Sequence, residues 1–285
     1  MTVAAELNAQ QLEYWGGAGG ERWVAQQARR DQLLGDFAQA ALAKADPKPG
    51  EAVLDIGCGC GETAALLAER VGPEGSVIGA DVSSPILAAA RERLAGRANV
   101  ELILGDAGAY PFQAASIDLL FSRFGVMFFG DPIAAFSNLR EAMKPGGRLV
   151  FVCWRSPAEN GWMTAPLAVT GPLLPQAPGP ADPNAPGPFA FHDQARVARI
   201  LTSAGFVNPA FEKFDQVIDV ASGGGCEAAV KSAMELGPTA RGLDGADEAL
   251  RGAVAEALRG FFAPRVTNGR VDLPAAIWIV TASAS

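Results

Sequence analysis

The chain has 285 residues, 49% of them apolar, and a formal net charge of -8. That is enough apolar material for one large domain or two small ones. The acidic balance, with no block of five basic residues, argues against nucleic acid as partner, because phosphate binding relies on clustered Lys and Arg. The N-terminus MTVAAELNAQQLEYW lacks the features of a secretory leader. No apolar run reaches the roughly 18–20 residues of a membrane span, so the expected location is the cytoplasm. Cysteines 58, 60, 153 and 226 have neither zinc-ribbon nor CxxC spacing. They are expected to be reduced, buried and structural, and no metal is expected.

In chain order, residues 6–45 read as helix, with the GGAGG run at 16–20 dividing it into two pieces. The cluster Asp46-Pro47-Lys48-Pro49-Gly50 ends this helical cap, 1–45. A core over 46–285 follows. Strands are predicted at 52–56, 76–80, 100–104, 117–121 and 148–154, and helices at 62–71, 84–95 and 132–143, the last closed by Lys144-Pro145-Gly146-Gly147. Alternating strands and helices imply parallel pairing, hence an α/β fold with a doubly wound, Rossmann-like sheet. After Trp154 the rhythm stops. Residues 156–190, rich in Pro, Gly and Ala, read as an irregular lid. A helix at 193–204, a strand at 211–220, helices at 224–236 and 245–263 and a final strand at 275–281 complete the chain. The last two strands are expected to close the mostly parallel sheet as an antiparallel hairpin, with a second insertion, 221–270, between them.

The informative stretch is VLDIGCGCGETA, Val53 to Ala64. A strand, a glycine-rich turn and a helix N-terminus make a nucleotide site, because glycine permits close approach and the helix end presents free N–H groups. The dinucleotide fingerprint GxGxxG, placed on Gly57 and Gly59, would need glycine where Glu62 stands. The P-loop fails as well, for want of Lys-Ser or Lys-Thr. Asp55 is badly placed for a pyrophosphate and well placed for a cationic amino group. Asp81 ends the second strand, where an acid accepts from both ribose hydroxyls. Asp106 follows the third strand, in reach of an exocyclic amine. These three acids describe a ligand with an ammonium group, a ribose and an adenine, and no phosphate.

The chain resembles the class I S-adenosylmethionine-dependent methyltransferases. The segments that carry the resemblance are VLDIGCGCG, VIGADVS, LILGDA, IDLLFSRFGVMFF and LREAMKPGGRLVFV, from about 50 to 152. The resemblance implies S-adenosylmethionine as cofactor and S-adenosylhomocysteine as product. It implies that Asp55, Gly57 and Gly59 hold the methionine end, with Cys58 as a small residue fitting the tight loop between them. Asp81 would hold the ribose, Val82 would lie beside the adenine, and Asp106 and Ala107 would hold the adenine edge. Ser122 would offer backbone to the methionine part, and Tyr14 and Trp23 would close over the cofactor.

Acceptor-side candidates are fewer. His192, the only histidine, is the candidate general base. Arg123 is a candidate for an acidic substrate, or a partner of Asp118 or Glu141. Glu159, Asn160 and Trp162 follow the fifth strand, where acceptor-facing residues sit. The Asn/Asp-Pro-Pro-Tyr signature of amide methylation is absent, since that place reads FSRFGV. The expected function is methyl transfer to a small, partly hydrophobic molecule, with a homodimer as the expected assembly. The alternative is a protein that binds the cofactor without transferring methyl: a decarboxylase, hydroxylase, cyclase or sensor.

Overall fold

The computed structural model describes residues 2–175, 182 and 184–285. The chain divides into two compact units. One comprises Met1–Trp154, Asn184–Lys213 and Trp278–Ser285; the other comprises Arg155–Pro183 and Phe214–Ile277. Most of the two segments expected as insertions therefore lies in the second unit.

The first unit begins with α1 (Val3–Gly16), α2 (Ala18–Ala25) and α3 (Gln27–Ala45). The alternation follows: β1 (Ala52–Ile56), α4 (Glu62–Val71), β2 (Ser76–Asp81), α5 (Ser84–Arg93), β3 (Val100–Leu104), β4 (Ile117–Arg123), α6 (Pro132–Ala142) and β5 (Met143–Trp154). Helix starts are set by local chemistry. Ser83 accepts from the Ile86 N–H with Pro85 in the first turn, and Asp131 accepts from Ala134 with Pro132 opening α6. The second unit holds α7 (Gly161–Thr170), and α8 (Gln194–Ser203) returns to the first. β6 (Phe206–Asp219) and β7 (Asp272–Ala284) contribute residues to both units, with α9 (Gly225–Glu235), α10 (Gly237–Gly242) and α11 (Glu248–Phe262) between them in the second.

The strands form one seven-stranded sheet in the order β3-β2-β1-β4-β5-β7-β6, mostly parallel and ending in the expected antiparallel hairpin. β1 pairs in parallel with both β2 and β4. The order reverses between β1 and β4, and a crevice opens at the carboxyl ends of strands at such a point. Aromatic rings fill the first unit's core: Phe136 lies 5.8 Å from Phe151 and 6.1 Å from Phe206, ring centre to ring centre, and all three are fully buried.

Some boundaries differ from the sequence reading. The helical cap is three helices, broken at Gly17 and Gln26, and Gly19 and Gly20 lie inside α2. Those two glycines serve close packing: a Cβ on Gly20 would lie 2.5 Å from Ser83 Oγ. Lys144-Pro145-Gly146-Gly147 falls within β5, where the register slips from Ile117 opposite Met143 to Leu119 opposite Arg148. The segment 156–190 is only partly irregular, since apolar WMTAPLAVT folds as α7; residues 176–181 and 183 of it lie outside the described residues. β6 starts five residues earlier than expected, and α10, opened by Gly237-Pro238, was not foreseen.

Candidate functional site

Asp55, next to last in β1, has no solvent exposure. Thr63, in the first turn of α4, donates its hydroxyl to Asp55 Oδ2 at 2.6 Å. Asp55 Oδ1 is sealed from water and has no hydrogen-bond partner. Burial pushes the Asp55 carboxyl up to about 7, against the opposing pull of Thr63 and of the Arg123 charge. A buried acceptor left unsatisfied is costly, and its persistence points to a donor that arrives with a ligand.

The glycine loop keeps positive φ at Gly57 (65°), Gly59 (57°) and Gly61 (82°). Its N–H groups are engaged with β2: Gly57 and Cys58 donate to the Ala80 carbonyl at 2.8 and 3.2 Å, and Gly59 donates to Asp81 Oδ2 at 3.0 Å. What the loop offers a ligand is therefore closeness of approach more than free donors. Gly57 also touches the loop after β4, where a Cβ on it would lie 2.8 Å from Gly125 Cα. Gly57→Ala should therefore lower stability by about 2 kcal/mol or more, through strain and a backbone clash together. Gly50→Ala shares a positive φ, 84°, but meets nothing within 4 Å, and should lose only about 1 kcal/mol. Urea midpoints of the two variants check this contrast.

The cysteines of the loop are structural. Cys58 and Cys60 are buried. The Cys58 sulfur faces β2, 3.0 Å from where a Cβ of Gly79 would be. Burial raises both thiols, Cys60 to about 11, so neither is a ready thiolate.

Asp81 holds the next position. Its Oδ1 accepts from the Ser83 N–H at 3.0 Å and its Oδ2 from Gly59. Burial raises its carboxyl to about 6 in spite of these bonds. Val82, between them, is half-buried. Asp106 accepts from the Gly108 N–H at 2.8 Å and from the Asn8 side chain at 2.8 Å. The buried Ala107 has its carbonyl bonded by Asn138 Nδ2 at 3.3 Å. The Ser122 hydroxyl donates to the Ile56 carbonyl at 2.8 Å and accepts from the Gly125 N–H at 3.1 Å, tying the ends of β1 and β4.

The cap brings its aromatic residues to this place. Trp15 stands edge-on to Tyr14, Trp23 and Phe128, at ring separations of 5.1, 5.6 and 5.3 Å. Trp23 Nε1 lies 3.6 Å from where a Cβ of Gly59 would be, so the indole covers the loop. Asn8, Asn138, Trp15 and Phe128 were not singled out in the sequence. A helical asparagine carries no local sign that it reaches an acid 98 residues away.

Other candidates are already engaged. Arg123 pairs with Glu62 at the start of α4, and not with Asp118, which takes Lys144, nor with Glu141. In the second unit, Glu159 accepts from the Ser156 hydroxyl at 2.7 Å and pairs with Arg155. The fully buried Asn160 donates to the carbonyls of Arg155, Ser156 and Ala276 and accepts from the Ala276 N–H. Its amide locks local backbone. Trp162 lines an apolar pocket with Met163, Pro166, Leu236 and Phe262, all in that unit. His192 Nδ1 lies 2.8 Å from the Phe189 carbonyl, and Asp193 caps α8. Among the described residues, no hydrogen bond or ring contact joins His192 to the loop. No group of three or more His, Cys, Asp or Glu able to hold a metal occurs among the described residues.

A family model described as a methyltransferase domain matches residues 53–147, from β1 through the start of β5. That stretch carries the glycine loop and all three acids, and it is the part of the chain whose likeness to methyltransferases is shown. The chain is 28% identical over 180 residues to a demethylmenaquinone methyltransferase of Staphylococcus aureus, covering 59% of this chain and 72% of that one. It is 38% identical over 114 residues to a 37.1 kDa protein of a Streptomyces fradiae transposon, and there it spans 40% of its own length and only 33% of the relative's. Among solved structures, the YcgJ protein of Bacillus subtilis superposes with a TM-score of 0.57 at 17% identity, over 86% of this chain and 97% of that one. At that identity the likeness is one of fold. The resemblance implies S-adenosylmethionine as cofactor. The residues present fit it: an unsatisfied buried carboxylate oxygen on Asp55, a loop bare of side chains at Gly57 and Gly59, and an acid at the end of each of the next two strands. No helix among the described residues is long and apolar enough to cross a membrane.

Proposed function

We propose that this protein methylates a small, partly hydrophobic molecule. The observation that carries the cofactor half of the reading is the buried, unpartnered Asp55 Oδ1 beside the bare glycine loop. The acceptor half is supported by the likeness to a demethylmenaquinone methyltransferase.

In this reading Asp55 Oδ1 would accept a hydrogen bond from the ammonium of the methionine end and act as its counter-charge. Asp81 accepts from the ribose hydroxyls on the lone pairs that Gly59 and Ser83 leave open. Asp106, oriented by Asn8, and Ala107 meet the adenine edge, with Val82 against its face. Tyr14 and Trp23 cover the ligand and exclude water. When bound, S-adenosylmethionine would supply a methyl activated by a positively charged sulfur, for transfer to an acceptor placed in line with the S–CH3 bond. The protein's share is then alignment of the acceptor, worth up to several kcal/mol. Deprotonation is needed only if the acceptor must lose a proton, and His192 Nε2 is the candidate for that step.

The test is a screen of quinols, phenols, amines and thiols for formation of S-adenosylhomocysteine together with an acceptor heavier by one methyl. Equal amounts of the two products are the expected outcome. An acceptor changed without release of S-adenosylhomocysteine would replace this reading with a non-methylating one.

A further inference from the structure

Three arginines from different elements stand around the glycine loop. Arg93 of α5 pairs with Asp31, and Arg123 at the end of β4 pairs with Glu62. Among the described residues, no carboxylate pairs with Arg30 of α3. Its guanidinium carbon lies 4.0 Å from the centre of the Trp23 ring. Its Nε is sealed from solvent without a hydrogen-bond partner. Burial is the largest influence on the group and pulls it down to about 10; Tyr14 and Cys60 act in the opposite sense. A guanidinium withdrawn from water is expensive without a counter-charge. An aromatic face offsets only about 0.5–2 kcal/mol of that.

The surroundings say which anion is missing. The indole under Arg30 is the one that covers Gly59, and Cys60 is the next residue of the same loop. Asp55, across the loop, supplies one negative charge for one cation. The amino-acid end of the cofactor carries a second charge of opposite sign, a carboxylate, for which the N–H groups of Gly57, Cys58 and Gly59 are not free, being engaged with β2. We propose that Arg30 is the counter-ion of that carboxylate, held in plane by Trp23 and donating through its Nη atoms. A planar fork suits a carboxylate better than a point charge does. Asp55 and Arg30 then read the two charges of the amino-acid end separately. The inference rests on the cofactor reading given above.

The test is calorimetric, on the full chain, with S-adenosylhomocysteine and with its decarboxylated analogue, which keeps the amine. The unaltered protein is expected to prefer the first by about 10- to 100-fold, as for a hydrogen bond between charged groups. Arg30→Met, which keeps an unbranched apolar stem over Trp23, should lose that preference and bind the analogue within about twofold of the parent. Arg30→Lys should keep part of it. Equal weakening of both ligands in Arg30→Met would make Arg30 a structural prop and overturn the proposal. An unchanged preference would overturn it too. If Arg30→Met does not fold, the Arg30→Lys preference decides: a preference equal to the parent's, or equal weakening of both ligands, overturns the proposal. A parent protein that binds neither ligand would remove the cofactor reading itself, a result distinct from the others.

Discussion

Asp81→Ala is expected to weaken binding of S-adenosylhomocysteine by about 100-fold or more, beyond detection in a thermal-shift assay where the parent, at 100 times its dissociation constant, gains about 2.7 kcal/mol. The effect is large because the carboxylate has two duties. It fixes the loop by accepting from Gly59 and the start of α5 by accepting from Ser83. It is also the proposed acceptor for the ribose. Asp81→Asn separates these duties, since an amide keeps one acceptor oxygen and must leave one of the two N–H groups without its bond. It should fall between parent and alanine variant. A pH dependence accompanies the result. Asp81 ionises near 6 in the folded chain, and only the carboxylate accepts from both hydroxyls. Affinity should be full above about pH 7 and fall as the pH drops through 6. A flat affinity from pH 5 to 8 would remove Asp81 from the ligand contacts.

Asp55→Asn should do two opposite things. The folded Asp55 binds its proton more tightly than the unfolded residue, near 7 against the model-compound value of 3.8. Its contribution to stability is therefore fully present below about pH 3.8 and is lost as the pH rises through 7. Above pH 7 the buried charge costs the ligand-free protein on the order of a few kcal/mol. Asparagine carries no charge to bury. At pH 8 the variant should melt above the parent, and the advantage should fade toward pH 5. Its affinity for S-adenosylhomocysteine should fall by about 10-fold or more, because the ammonium loses its counter-charge. Denaturant titrations at pH 5 and pH 8, paired with calorimetry, read both effects. A variant less stable at pH 8 with unchanged affinity would place Asp55 in the fold alone.

Much of the first unit was legible because its signals are local. β1, α4 and β3 match their predicted bounds residue for residue, since each is an apolar run or amphipathic turn bracketed by Gly, Pro or a capping residue. Asp55, Asp81 and Asp106 stand at or just past the carboxyl ends of β1, β2 and β3, a placement legible because the strand ends were. What could not be read is what depends on distance along the chain. Glu62 taking Arg123, Asn8 taking Asp106 and Asn160 bridging to Ala276 join residues 61, 98 and 116 positions apart. Composition misled where packing decides the conformation. GGAGG reads as a break, yet Gly19 and Gly20 are helical because α2 approaches α1 and α5 too closely for side chains. Lys-Pro-Gly-Gly reads as a helix stop, and α6 does end just before it, at Ala142, but the four residues also belong to β5, as a slip in register opposite the start of β4.

Asn8 of α1 bonds Asp106 past the end of β3, and Trp23 of α2 stands over Gly59 past the end of β1. On the proposed reading, with adenine at the first place and the amino acid at the second, both helices would have to shift for a bound ligand to leave. Admission and escape would then share one door. Turnover on a fast-reacting acceptor would be set by how often this door lifts, and substitutions that loosen the Trp15 cluster should speed product escape even as they weaken capture. An enzyme built this way trades residence time against throughput in a segment remote from the reacting methyl group, where selection can tune it without touching the chemistry.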